Sequence, residues 1–254
     1  MSDRIICDTS IYMGGSFEFF RKHKVIGTAF NAWELINSSC FNQDKFEILQ
    51  RAVIKFLDRT EDIIIESTQV HLLGTYLNNR LRPKSKYFYK ALEGSLNEIK
   101  KAKDFNECKM KGLFISGREK DNLGRIAMDS WLNDLVAKVK EYSGSEFNEE
   151  LAYLILETNL REHFVSFLQR HYQVTPIRSK FNLDIKTPYI QICLSYIARN
   201  IYALNQEVKR NTFNDLEHLI YLNGNDYMFC TNEVDWNDLM SYNDITKGRL
   251  LKYG

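Results

Sequence analysis

Arg4-Ile5-Ile6-Cys7-Asp8-Thr9-Ser10 is the stretch whose reading decides the fold. The apolar run Ile5-Ile6-Cys7 is short, continuous, and stops at three polar residues. A strand buried on both faces of a parallel sheet reads as an unbroken apolar run, not an alternating one. The run therefore predicts such a strand, with Asp8 at its carboxyl end, the end at which open α/β sheets bind ligands. A second run, Tyr227-Met228-Phe229-Cys230, gives way to Thr231-Asn232-Glu233, with Asp235-Trp236 just beyond. Two strands from opposite ends of the chain thus finish in polar, acidic turns. If they lie side by side and parallel, Asp8 and the 231–235 turn meet at one edge.

Outward from these strands the sequence is mostly helical. Residues 11–22 and 25–41 read as helices, with Gly14-Gly15 as an early break. Residues 45–58 place Phe46, Leu49, Val53, Phe56 and Leu57 at i, i+3, i+4 spacing, the signature of an amphipathic helix. EDIIIES supplies a further strand over 63–65. The segments 68–80, 86–103, 120–142, 147–172 and 188–208 each carry a 3.6-residue period, and Ser143-Gly144-Ser145 reads as a helix–helix turn. The expected class is α/β, a small parallel sheet extended by a large helical middle region.

Composition excludes several classes. The 254 residues are 44% hydrophobic and 13% aromatic, with 34 basic against 33 acidic residues, so disorder does not describe the chain. A net charge of +1 excludes a strongly basic coat protein but leaves nucleic acid open as a substrate, because local patches outweigh the sum. The five cysteines are scattered, odd in number and without a CxxC, which points to thiols in a reducing compartment. No apolar stretch approaches the ~18 residues of a membrane span, and the first residues do not read as a signal peptide. The expectation is a cytoplasmic protein with no membrane partner. Gly14-Gly15 lacks the spacing and the Lys-Ser/Thr of a phosphate loop.

The candidate chemistry is acidic. Asp8, Glu34, Asp215 and Asp235, with Thr231 and Asn232 beside them, form a set of oxygen donors suited to hard divalent cations. Two ions about 3.5–4 Å apart can activate water and stabilise the leaving oxygen of a phosphodiester, chemistry that requires no His, Cys or Lys nucleophile. Each acid also has an ordinary reading: Asp8 as a turn or cap, Glu34 as a surface residue of an amphipathic helix, Asp215 as a helix cap. His218, three residues after Asp215 in Asn-Asp-Leu-Glu-His, falls on the same helical face and reads either as a phosphate or water contact or as a structural histidine. Glu217 is expected to be solvated. His163 and His171 lack metal-ligand spacing, and Cys7 and Cys230 read as core.

The order of four segments resembles the PIN-domain (PilT N-terminus) nuclease family. RIICDTS resembles its first strand with the first metal-binding aspartate, which implies that role for Asp8, with Thr9 in support. VIGTAFNAWELINSS resembles the segment carrying the second acid, which implies Glu34. NTFNDLEHLIYL resembles the helix of the third acid, which implies Asp215. DYMFCTNEVDW resembles the last core strand. Family members place the fourth acid at the position of Asn232 or of Asp235; with Asn at 232 the resemblance implies Asp235, with Thr231, Asn232 and His218 supporting. It implies a PIN-like three-layer α/β/α core built from 1–67 and 209–254, with 68–208 as a helical insertion packed on it.

The function this implies is a Mg²⁺- or Mn²⁺-dependent endonuclease hydrolysing single-stranded or loop RNA, with DNA as the other backbone the same acids would serve. Arg80, Arg82, Lys84 and Lys86, interleaved with Tyr87, Phe88 and Tyr89, and Lys209 with Arg210, are the candidate nucleic-acid contacts. A solvated helix face is the plain alternative for them. A PIN-like scaffold binding RNA or a regulatory protein is the second functional reading, with Asn232 in its favour. Members of that family often dimerise, which leaves a homodimer open as the assembly.

Overall fold

The computed structural model describes residues 4–76, 85–108, 130–144, 146–173, 181–200, 212–232, 239–240 and 244–253. In chain order the elements are β1 (Arg4–Cys7), α1 (Thr9–Gly14), α2 (Phe17–Lys22), β2 (Lys24–Thr28), α3 (Ala29–Ile36), α4 (Phe46–Arg59) and β3 (Asp62–Ile64). There follow α5 (Thr68–Tyr76), α6 (Ser85–Lys101), α7 (130–143), α8 (Glu149–Tyr172), α9 (Pro188–Arg199) and α10 (Thr212–Leu219). A 3₁₀ turn (Ile220–Leu222), β4 (Met228–Thr231) and β5 (Leu250–Lys252) close the order.

The five strands form one parallel sheet in the order β3-β2-β1-β4-β5. The chain builds outward from β1 through β2 and β3, then returns to the other side of β1 with β4 and β5. The order therefore reverses between β1 and β4, which makes the carboxyl ends of these two strands the switch point where α/β sheets open a crevice. Cys7 pairs with Cys230 in this register, and Asp8 and Thr231 mark the crevice.

Side chains alternate across the sheet, as the two-residue period of a strand requires. Ile6, Ile26 and Phe229 share one row and enter a core with α5, α7, α8, α9 and α10. Ile5, Cys7, Val25 and Cys230 enter the opposite core with α1, α2, α3, α4 and α6. Helices thus cover both faces, an arrangement compatible with three α/β/α layers. Ile5 and Ile6 are 1% and 0% exposed, and burial of each contributes about 2 kcal/mol. This explains why the deciding stretch reads as an unbroken apolar run. The helices of the middle region contribute Leu132, Leu135, Leu156, Phe164 and Ile190 to the first of these cores.

One expectation needs correction. Residues 25–41 are not one helix: their first part is the central strand β2, and α3 starts only at Ala29. Thr28 stops the strand and caps the helix, its Oγ1 accepting from the Asn31 backbone N–H at 3.0 Å. Gly27 belongs to the strand because α4 presses on it; a Cβ there would lie 2.8 Å from Cε2 of Phe56. The stretch 11–22 is two helices, α1 and α2, separated at Gly15-Ser16, next to the expected break at Gly14-Gly15. The edge strand β5 is an addition with no counterpart in the sequence reading. Among the described residues no helix is long and apolar enough to cross a membrane. All five cysteines are free thiols.

Candidate metal centre

Asp8 leaves β1 at the switch point and is held from three sides. Its backbone N–H donates to the carbonyl of Cys230 at 2.8 Å, tying it to β4. Its Oδ1 accepts from the Ser10 backbone N–H at 3.3 Å, which makes it the cap of α1. Its Oδ2 accepts from Ser10 Oγ at 2.8 Å and from Thr231 Oγ1 at 3.1 Å. Capping and candidate ligation are thus not alternatives for Asp8: one carboxylate sits where both are served.

Glu34 lies in the second half of α3. The Thr28–Asn31 capping box fixes where that helix begins and hence which way position 34 projects. Its Oε2 accepts from Thr9 Oγ1 at 2.6 Å and lies 2.7 Å from Nε2 of His218. The same Nε2 is 3.8 Å from Oδ1 of Asp8. His218 comes from α10 and is 2% exposed, with its ring between Phe30 at 4.7 Å and Phe229 at 6.3 Å. The two acids retain 15% and 19% exposure, so they are reachable from solvent while the imidazole forms a buried wall.

Asn31 is the contributor that sequence reasoning missed. It is fully buried, and its Nδ2 donates to Thr9 Oγ1 at 3.1 Å and to the Cys7 carbonyl at 3.0 Å. Its Oδ1 accepts from the Thr28 N–H at 3.2 Å and from Thr28 Oγ1 at 2.9 Å. Asn31 therefore orients Thr9, and Thr9 orients Glu34. The signal was present as Thr28-x-x-Asn31, a capping-box spacing immediately before Glu34.

The sequence-predicted residues divide as follows. Asp8, Glu34, Thr9, Thr231 and His218 are brought together at one edge. Asn232 follows β4 and is exposed. Asp235, Arg80, Arg82, Lys84, Lys209 and Arg210 lie outside the described residues. Asp215 belongs to α10 and Lys86 to α6, but their side chains lie outside the described ones. Glu217 is not solvated: it is 7% exposed and accepts from Thr68 Oγ1 at 3.1 Å, because α10 packs this face against α5 instead of turning it to water.

Donor atoms of Asp8, Glu34 and His218 all lie within 4.8 Å of one another. Donors about 2.1 Å from a common ion are separated by at most about 4.2 Å, so adjustments of a few tenths of an ångström close the set on a cation. Two carboxylates and one imidazole suit a first-row divalent ion, and of the two ions suggested by the sequence the imidazole favours Mn²⁺ over Mg²⁺. The Thr9, Ser10, Thr231 and Asn31 bonds are the outer ring that such ligands require. Cys7, one residue away, is no competing nucleophile: burial, then Cys230 and Asp8, push its thiol well above the ordinary value.

No family model, no curated protein and no solved structure matches this chain.

Proposed function

We propose that the protein is a divalent-metal-dependent nuclease with a PIN-like core, hydrolysing phosphodiester bonds of single-stranded or loop RNA. The observation that carries this reading is the convergence of Asp8, Glu34 and His218 at the carboxyl edge of β1 and β4, from positions far apart in the chain. The resemblance of the four terminal segments to the PIN family supports it and supplies the choice of RNA.

In this reading Asp8 and Glu34 bind the cation through carboxylate oxygens and His218 through Nε2. A bound divalent cation supplies Lewis-acid polarisation of a phosphoryl oxygen and stabilisation of the leaving oxygen. The chain's own work is positioning. Ser10 and Thr231 hold the Asp8 carboxylate in one rotamer, and Asn31 acts through Thr9 on Glu34. Phe30 and Phe229 fix the plane of the imidazole and keep bulk water from its buried side.

The same bonds favour a second reading. Glu34 is already satisfied by Thr9 and His218, so the cluster is stable as a structural tie, and the chain would then be a PIN-like scaffold binding RNA or a protein. The test is cleavage of matched single-stranded RNA and DNA oligonucleotides in Mn²⁺, Mg²⁺ or EDTA, with wild type beside Asp8→Asn. The nuclease reading expects metal-dependent cutting of RNA, lost in Asp8→Asn. Absence of cutting in every lane, with no stabilisation of the wild type by Mn²⁺, would support the scaffold.

A further inference from the structure

Glu217 and His218 are neighbours on α10, and the helix turns them to different partners. Successive helical residues lie about 100° apart around the axis. His218 meets Glu34 of α3, with Nε2 2.7 Å from Oε2. Glu217 meets α5 instead: its Oε1 accepts from Thr68 Oγ1 at 3.1 Å and from Gln69 Nε2 at 3.4 Å. One turn further on, the Tyr221 hydroxyl donates to the carbonyl of Glu66 at 2.9 Å. Positions 217 and 221 therefore both fasten on residues 66–69, the corner between β3 and α5. His218 lies between these two anchors in the chain.

Glu217 is 7% exposed, and a buried carboxylate is costly to desolvate. Apolar contact already seats α10: Leu216 and Leu219 are buried and enter the same core as Leu72 and Leu73 of α5. Such contact is non-directional, whereas a hydrogen bond fixes both distance and angle. The margin at the metal centre is small. A side-chain tip rides about 5–6 Å from a helix axis, so a rotation of about 20° carries it about 2 Å. That displacement would break the 2.7 Å contact of His218 with Glu34 and take Nε2 away from an ion shared with Asp8. A carboxylate held by two donors on α5 gives α10 a rotational stop that apolar packing lacks.

We infer that Glu217 is a positioning residue for His218: through Thr68 and Gln69 it sets the rotation of α10, with Tyr221 as second anchor, and so aims the imidazole at Glu34. The geometry rests on these contacts alone; the consequence for a cation rests on the metal-centre reading. The device consists of hydrogen bonds only, and no covalent step is involved.

The side-chain ¹H and ¹⁵N signals of His218, assigned by their loss in His218→Gln, read the contact without metal. With Glu34 ionised, the bond requires the proton on Nε2. In EDTA, wild type is expected to show an Nε2–H proton protected from exchange. Glu217→Ala and Thr68→Val are expected to lower that protection at least tenfold. Glu217→Gln, which keeps an oxygen for Thr68, is expected to retain it within about threefold. Mn²⁺ affinity, read by calorimetry on the same proteins, is expected to follow: about tenfold weaker in the first two variants and near wild type in Glu217→Gln. If Glu217→Ala fails to fold, Thr68→Val, which removes one hydroxyl and leaves the carboxylate in place, decides the matter. Unchanged exchange protection in folded Thr68→Val and Glu217→Ala would overturn the positioning role, even with stability lowered, because a merely structural tie does not aim the ring. Loss in Glu217→Gln equal to that in Glu217→Ala would overturn it too, as would an unprotected Nε2–H in wild type. If the imidazole responds as expected but wild type takes up no Mn²⁺, the positioning role stands and the metal-centre reading falls. Mn²⁺ uptake with an imidazole indifferent to Thr68 and Glu217 keeps the metal centre and removes the positioning role.

Discussion

Nε2 of His218 lies 2.7 Å from Oε2 of Glu34, although 184 residues separate them. The contact joins α10 to α3 across the switch point, with Asp8 3.8 Å from the same nitrogen. It holds the two ends of the chain in the one arrangement where their polar turns can share a ligand. Removing the imidazole would leave a gap between Phe30 and Phe229 and take one partner from Glu34. His218→Ala is expected to lower stability by about 2–4 kcal/mol in urea unfolding without added metal. A loss below about 0.5 kcal/mol would mean that this tie contributes little.

Asn31 is expected to matter at a distance from any ligand. Asn31→Ala removes the donor to Thr9 and to the Cys7 carbonyl and leaves buried partners at Cys7 and Thr28 unsatisfied. The expected loss is about 2 kcal/mol of stability, with Mn²⁺ affinity falling about tenfold through the freed Thr9–Glu34 pair. Calorimetric titration beside a denaturant melt reads both. Unchanged Mn²⁺ affinity in a folded variant would remove Asn31 from the positioning chain.

Gly27 tests the packing of α4 on β2. The methyl of Gly27→Ala would meet the Phe56 ring at 2.8 and 3.2 Å and Ile63 Cγ1 at 3.3 Å, and Phe56 is fully buried. The expected loss is about 1–3 kcal/mol, measured as a shift in urea midpoint at constant slope. A neutral result would show that the helix can lift from the strand.

His163 sets a pH dependence. Burial, and then Arg170, hold its imidazole below the ordinary value of 6.5. The folded state thus binds fewer protons than the unfolded chain in the window between its lowered value and 6.5. Stability rises with pH through that window; it is present above 6.5 and is lost as pH falls through the lowered value. His163→Gln is expected to lose less stability than wild type between pH 7 and pH 5. Equal losses in parallel melts would assign the acid sensitivity to other groups.

How much of this is legible in the sequence depends on the element. β1 and β4 are buried on both faces, so their apolar runs are unbroken and the strands stand out. β2 offers only Val25-Ile26 before Gly27, and the helical period of α3 extends backward over it, so the strand is hidden until Phe56 is seen to need Gly27 bare. β5 is hidden for the same reason, with Leu250-Leu251 too short to carry a period. At the site, Asp8 is announced by the end of its strand, and His218 by its place on the helix. Asn31 is hidden behind an ordinary capping role. The burial of Glu217 depends on Thr68, 149 residues away, and no local pattern reports that.

The most direct test of the central claim is calorimetric titration of Mn²⁺ into wild type, Asp8→Asn and Glu34→Gln, with Mg²⁺ as the parallel ion. A metal centre predicts saturable binding in wild type, tighter for Mn²⁺ than for Mg²⁺, with at least tenfold weakening in each variant. It also predicts thermal stabilisation of about 2.7 kcal/mol at a hundredfold excess over Kd. Wild type and both variants taking up Mn²⁺ equally, or none of them taking it up, would contradict a metal centre at Asp8, Glu34 and His218.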